Sequence, residues 1–282
     1  MNRLWLVCGL LSLVLAGCAQ RTLTLPTGAG TPLPDFTALH SDVSKSCAGV
    51  RTLTAELGLS GRAGGQRLRG RALAGFQAPD AMRLEGLAPF GPPAFILAAR
   101  GREATLLLPR DERVLRNAKA EEILGAITGV SLAPADLQAI LTGCVVPAPK
   151  SVNGVQHGKD WRAIELQGGA TIYLRRANNG WQLRAATREG WRIEYPAWQG
   201  GFPRGVRLVS APPSPSASAR QAPSASTRQD PVVDVMALIS QIETNVALDA
   251  AAFTVDVPPG ATAITLDELR DAGPLRGTTS SR

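Results

Sequence analysis

The sequence predicts a mainly β chain: a single antiparallel sheet of about ten or eleven strands, covered by three short helices. Three observations predict it. From Arg51 apolar residues recur at every second position, the period of a half-buried strand. The alternating runs are short and separated by Gly-, Asn- and Pro-containing turns, the punctuation of hairpins. Stretches with apolar residues at helical spacing are few: one precedes the strands and two interrupt them.

Asp35 to Val50 is the first helix. Phe36, Leu39, Val43, Cys47 and Val50 fall on one face, and Asp35 stands where a cap belongs. The period then changes to two. Leu53, Ala55, Leu57 and Leu59 alternate with Thr52, Thr54, Glu56 and Gly58. Gly61 to Gly65 turns the chain, and Leu68, Gly70, Ala72, Ala74 and Phe76 alternate with Arg67, Arg69 and Arg71. Met82 to Leu87, Ala94 to Arg100, Glu103 to Leu108 and Glu112 to Arg116 continue the meander. Lys119 to Ile127 and Pro134 to Cys144 are the two middle helices, the second opening on a proline at its first position.

Strands resume at Trp161, Thr171, Trp181 and Trp191, with Asn178-Asn179-Gly180 as a hairpin turn. Val206 to Val209 adds another. Ala211 to Pro231 is rich in Pro, Ser and Ala and too poor in apolar residues to order itself; it reads as a disordered insert within one domain. Val232 to Glu243 is open between two forms: its valines favour a strand, while Met236, Ile239 and Ile242 also fit a helix. Phe253 to Val257 is expected to be the last strand, and the tail 271–282 to be mobile.

Enzyme signatures are missing. The two histidines, His40 and His157, stand alone, without a second His or thiols at zinc spacing. Gly129-Val130-Ser131-Leu132-Ala133 lacks the second Gly of a nucleophile elbow. Gly70 to Gly75 has phosphate-loop spacing but no Lys and Ser/Thr after it, and Glu121-Glu122 reads as a solvated helix start. No catalytic residue, no metal site and no cofactor are expected. The basic residues are scattered, which argues against nucleic acid. The Arg67-Arg69-Arg71 row reads first as a solvated face whose charges protect an edge; its other reading is a contact with anionic headgroups or an acidic partner.

The first seventeen residues resemble a secretory signal. Arg3 precedes an apolar run from Leu4 to Ala16 that is too short to span a bilayer. Leu15-Ala16-Gly17-Cys18 resembles the lipobox of bacterial lipoproteins, in which the cysteine after the cleavage point is acylated. The plainer reading is an ordinary signal with a chance cysteine. The lipobox reading implies acyl chains on Cys18, a flexible tether over 18–34 and an outer-membrane anchor on the periplasmic face, since Ala19 stands where Asp would resemble a retention signal. Removing 1–17 takes away only Arg3 among the charged residues, one unit off a net formal charge of +7. A mild basic excess suits an anionic surface.

An oxidising compartment bears on the cysteines left, Cys47 and Cys144. Each lies on the apolar face of a helix. If those helices pack side by side a Cys47–Cys144 disulfide is within reach; two buried thiols are the other reading.

This order of elements, covering residues 35 to about 270, is similar to the LolA/LolB lipoprotein-localisation fold. Within it MRLEGLAPFGPPAFIL (Met82 to Leu97) resembles the strand–loop–strand of the LolB branch. GWRIEYPAWQGGFPRGVRLVS (Gly190 to Ser210) resembles its late strand, Tyr, loop and Pro-led strand, and NVALDAAAFTVDVPPGA (Asn245 to Ala261) its closing strand. The chain departs from the pattern in its insert, its cysteine pair and its loop tip, which is Phe90 where the family pattern has Leu.

The resemblance implies a strongly curved, half-barrel sheet with an apolar cavity under the helices. It also implies a monomeric receptor that accepts acyl chains of lipoproteins or membrane lipids from a soluble periplasmic carrier and delivers them to the outer membrane. Phe90, flanked by Leu87 and Pro89, takes the place of the loop residue that contacts membrane or acyl chain. Its plain alternative is a side chain folded back on the sheet as a plug. The alternative for the whole chain is a structural or assembly lipoprotein that uses the same fold without lipid transfer.

Overall fold

The computed structural model describes residues 23–63, 66–178, 180–210 and 233–272. The expected signal 1–17, Cys18, the insert 211–231 and most of the tail 271–282 lie outside the described residues.

The chain enters with β1 (Thr31–Pro32) and helix α1 (Phe36–Ala48). A first meander follows: β2 (Thr52–Ala63), β3 (Gln66–Gln77), β4 (Ala81–Leu87), β5 (Phe95–Arg100), β6 (Glu103–Leu108) and β7 (Arg113–Ala118). Helices α2 (Ala120–Thr128) and α3 (Pro134–Thr142) lead to a second meander of β8 (Ser151–His157), β9 (Trp161–Leu166), β10 (Thr171–Ala177), β11 (Gly180–Arg188) and β12 (Trp191–Glu194). A small hairpin, β13 (Trp198–Gln199) and β14 (Phe202–Pro203), precedes β15 (Gly205–Ser210) and β16 (Val233–Thr244). Last come β17 (Thr262–Ala263) and α4 (Leu266–Ala272).

Fifteen strands form one open, curled sheet in the order β1-β8-β9-β10-β11-β12-β15-β16-β2-β3-β4-β5-β6-β7-β17. β16 joins the two meanders, pairing with β15 on one side and β2 on the other. It is a strand because β2 pairs with it from Val233 to Thr244, with one irregularity after Ser240, and β15 pairs with it from Asp234 to Leu238, which together outweigh the helical spacing of Met236, Ile239 and Ile242. Val233, Val235, Ala237 and Ile239 are buried, while Leu238 and Ser240 point outward.

Four expectations are corrected. The sheet is not wholly antiparallel: β17 runs parallel to β7, because the chain returns to that edge by a crossover along the outer face instead of by a hairpin. The strands outnumber the ten or eleven foreseen, since β8 and several two-residue pairings carry weak signals. A fourth helix, α4, joins the expected three, with Leu269 wholly buried. Phe253 to Val257 is not a strand. Ala250–Phe253 is a 3₁₀ turn capped by the Asp249 carboxylate, which accepts from the Ala251 N–H at 2.9 Å. The Arg83 guanidinium donates to the carbonyls of Ala252 and Thr254 at 3.0 and 2.8 Å, so these face a side chain and not a ladder. Asp35 does occupy the N-cap of α1, but its side chain makes no capping hydrogen bond.

All four helices lie on one face, the inner face of the curl. Alternate residues of nearly every strand supply one continuous core beneath them, with Leu53, Phe76, Met82, Leu97, Leu106, Ile164 and Ile193 among the wholly buried. The first and last described segments both reach this face by wrapping an edge. The Leu23 N–H donates to Glu194 at 3.2 Å on the outer face; the chain then lies along β8 as β1 and enters α1 inside. At the other edge the segment after β16 crosses the outer face, passes β7 as β17 and ends as α4 inside. Among the described residues no helix is long and apolar enough to cross a membrane.

Candidate functional site

Two hollows border the helices, and their linings decide between them. The larger, of about 800 Å³, is an open groove beside α1, lined by polar and apolar residues including His40, Ser44, Gln138 and Lys150. Burial holds the His40 imidazole below its ordinary pKa, and among the described residues no cluster of His, Cys, Asp or Glu could hold a metal. The smaller hollow lies between the inner face and the helices α2 and α3. It holds about 80 Å³ of free space, lined by Leu57, Leu84, Phe95, Leu141, Val206 and Val235 together with other apolar side chains. Thr128 is the one polar residue of its lining, and its hydroxyl already donates to the Leu124 carbonyl at 2.7 Å. Such a wall offers a ligand dispersion and desolvation and nothing polar, which suits hydrocarbon.

The register shows why the strands converge on this hollow. Leu84 and Leu97 are opposed across β4 and β5, and Gly86 faces Phe95. A Cβ on Gly86 would stand 2.3 Å from the Phe95 ring, so the glycine is what lets that ring lie flat against β4. Replacing it would push Phe95 into the free space.

The two covering helices are held differently. α3 is fixed by three kinds of bond. Cys144, just after it, is joined to Cys47 of α1 by a disulfide, with Cα atoms 5.6 Å apart. The wholly buried Tyr195 hydroxyl donates to the Ile140 carbonyl at 3.2 Å, and burial pushes that phenol well above its ordinary pKa. The Arg188 guanidinium bonds Asp136 at 2.9 Å and the Val145 carbonyl at 3.1 Å. α2 has only apolar contacts with the sheet. Among the described residues its polar bonds stay within 119–131, and Gly129 ends it in the left-handed conformation, φ 73°. Tyr195→Phe is expected to lower the unfolding free energy by about 0.5–1.5 kcal/mol, because the Ile140 carbonyl loses one of its two partners and keeps the Gly143 N–H at 3.2 Å. Urea denaturation checks this; an unchanged midpoint would remove Tyr195 from the α3 anchorage.

Phe90 does not fold back as a plug: it is 88 % exposed, at the tip of the loop between β4 and β5. Leu87 ends β4 half-buried, and Pro89 is exposed. Thus one hairpin carries Leu84 and Phe95 in the cavity wall and Phe90 in the open. The loop is held by a residue that local sequence reading missed. Arg110, in the turn between β6 and β7, donates to the carbonyls of Phe90 and Pro92, the latter at 3.2 Å. No pattern along the chain marks that contact, since it exists only once β4, β5, β6 and β7 are side by side. The other overlooked parts of the site are Val130 and Leu132, buried in the segment between α2 and α3 as part of the cavity wall.

No family model matches the chain, and no curated protein matches it. Solved structures do. A LolA superfamily protein from Nitrosomonas europaea is similar over 78% of this chain and 97% of its own, with TM-score 0.49 and 10% identity. A DUF1329 family protein from Desulfovibrio piger is similar over 79% of this chain and 98% of its own, with TM-score 0.48 and 13% identity. One helix, a first meander, two covering helices and a second meander over an open curled sheet follow one another in the order that the sequence resemblance implied.

Proposed function

We propose that this chain is an envelope lipoprotein, held at the outer membrane by acyl chains on Cys18, that takes acyl chains of lipoproteins or lipids beneath α2 and passes them to the bilayer at Phe90. One observation carries the reading: an almost wholly apolar cavity and an exposed aromatic tip share one hairpin. A soluble periplasmic carrier is the natural donor, because acyl chains cannot cross water unshielded. No catalysis is involved, only partition of hydrocarbon between two apolar surroundings.

The cavity of about 80 Å³ is far below the ~300–1,000 Å³ of ordinary ligand sites. Entry therefore needs the cover to move. α2 and the segment 129–133 are the part that moves, since apolar contacts alone hold α2 to the sheet. The small free volume also favours a second reading, an assembly lipoprotein whose inner face is filled by its own side chains. One experiment separates them. The purified chain is titrated with a fluorescent fatty acid and with an acylated peptide, and Ala72→Phe, which fills the cavity from β3, is titrated beside it. The transfer reading expects saturable uptake that falls at least about tenfold in the variant, the effect of ~1.4 kcal/mol of lost binding. Absence of uptake by the unaltered chain rejects transfer and leaves the second reading.

A further inference from the structure

We infer that Arg62, Arg67, Arg69 and Arg110 form, with Phe90, one docking surface for the headgroups of anionic lipids. The inference rests on the membrane-delivery reading above and deepens it by naming the lipid class.

The first observation is an uncompensated charge. Arg62 and Arg67 stand directly opposite each other near the β2–β3 hairpin tip, on the outer face. Like charges opposed across a ladder repel and cost stability. Arg62 also faces Asp234 of β16, but both carboxylate oxygens of Asp234 are held by Arg207 at 2.7 Å. Arg71 is neutralised by Glu56. Among the described residues no carboxylate pairs with Arg62, Arg67 or Arg69, and all three are exposed. The fold tolerates a repulsion that a single acidic substitution would relieve, which points to an external anion.

The second observation is where this charge lies. Leu87 at the end of β4 pairs with Arg71, so the Phe90 loop leaves the sheet toward the end that bears Arg69, Arg67 and Arg62. Arg110 sits behind the tip and adds a fourth guanidinium, bonded to carbonyls and not to an acid.

The third observation is the loop's backbone. An interface that excludes water requires backbone polar groups to be satisfied from within. Pro89, Pro92 and Pro93 carry no N–H. Arg110 occupies the carbonyls of Phe90 and Pro92, and the Ala94 N–H donates to the Gly86 carbonyl at 2.8 Å. Three missing donors and two occupied carbonyls reduce what this loop must keep hydrated, which suits the headgroup layer, and a cationic rim around an aromatic tip is the signature of an interfacial anchor. An acidic protein would match the arginines but would leave the bare aromatic loop unexplained.

The test uses the full chain carrying Cys18→Ser, so that no acyl anchor contributes, with vesicles of phosphatidylethanolamine with and without phosphatidylglycerol. Co-sedimentation is expected with the anionic vesicles, weakening as salt rises. The triple variant Arg62→Gln, Arg67→Gln, Arg69→Gln is expected to bind them roughly a hundredfold more weakly, about fivefold for each cation. Its thermal midpoint should stay level or rise, because the Arg62–Arg67 repulsion is gone. Should the triple variant fold poorly, Arg69→Gln, opposite only Ser60, carries the test with a loss of about fivefold.

Undiminished binding by the variants overturns the inference, and so does equal binding of the unaltered chain to both kinds of vesicle. Retention on polyglutamate without vesicle binding assigns the rim to an acidic protein and also overturns it. Fatty-acid uptake, read separately, keeps the two proposals apart. Uptake without vesicle binding rejects the rim and spares the cavity, and vesicle binding without uptake does the reverse.

Discussion

Replacing both cysteines, Cys47→Ser with Cys144→Ser, is expected to lower the unfolding free energy by about 3–5 kcal/mol. The bond closes a loop of sequence separation 97, which contains the whole first meander and both covering helices. The unfolded chain without it gains the freedom of a long open loop, and the packing of the two sulfurs between α1 and α3 is lost. Total stabilities of domains are about 5–15 kcal/mol, so the loss is a large share. Guanidinium denaturation of the unaltered chain, oxidised and reduced, beside the double variant measures it. A difference under about 1 kcal/mol would mean that Tyr195 and Arg188 already hold α3 without the bridge.

The second large effect is functional. Phe90→Glu should leave folding unchanged within about 0.5 kcal/mol, since a side chain 88 % exposed has almost no internal contacts to lose. Burial of a phenylalanine in an apolar phase contributes about 1.5–3 kcal/mol, and a carboxylate is in addition repelled by anionic lipid. Vesicle affinity and the rate of acyl delivery should therefore fall about a hundredfold, while fatty-acid uptake in the cavity stays the same. Flotation with vesicles, beside the uptake titration, separates the two. Equal flotation of variant and unaltered chain would return Phe90 to the status of an ordinary exposed side chain.

Where local and tertiary forces agree, the sequence was readable. The alternation in β2 and β3 reports the inner face directly, and it places Leu57, Leu59, Leu68 and Ala72 in the cavity wall. Where they disagree, it was not. β16 carries signals for both forms, and only its partners β15 and β2, distant along the chain, choose one. β8 has Gly154 where an apolar inward residue would stand, because a Cβ there would lie 2.3 Å from the Phe36 Cβ; the helix supplies the apolar surface and the strand shows none. Phe253 to Val257 alternates like a strand, yet Arg83 takes the carbonyls of Ala252 and Thr254. The apolar faces bearing Cys47 and Cys144 were legible, while the 5.6 Å that makes a bond possible is a property of packing. Phe90 was legible as an oddity; the guanidinium that holds its loop belongs to a turn some twenty residues on.

The wrapped edges of the sheet have a consequence for recognition. An open sheet normally offers two rows of free backbone groups to any extended peptide, and many binding proteins use them to recruit partners by strand addition. Here each outermost strand is two residues long, and one of the four residues is Pro32, which has no N–H to give. A visiting strand would find the edges of β8 and β7 already partly taken. Partners of this chain are thereby steered away from its sides, toward the loops at its end and the hollow beneath its helices.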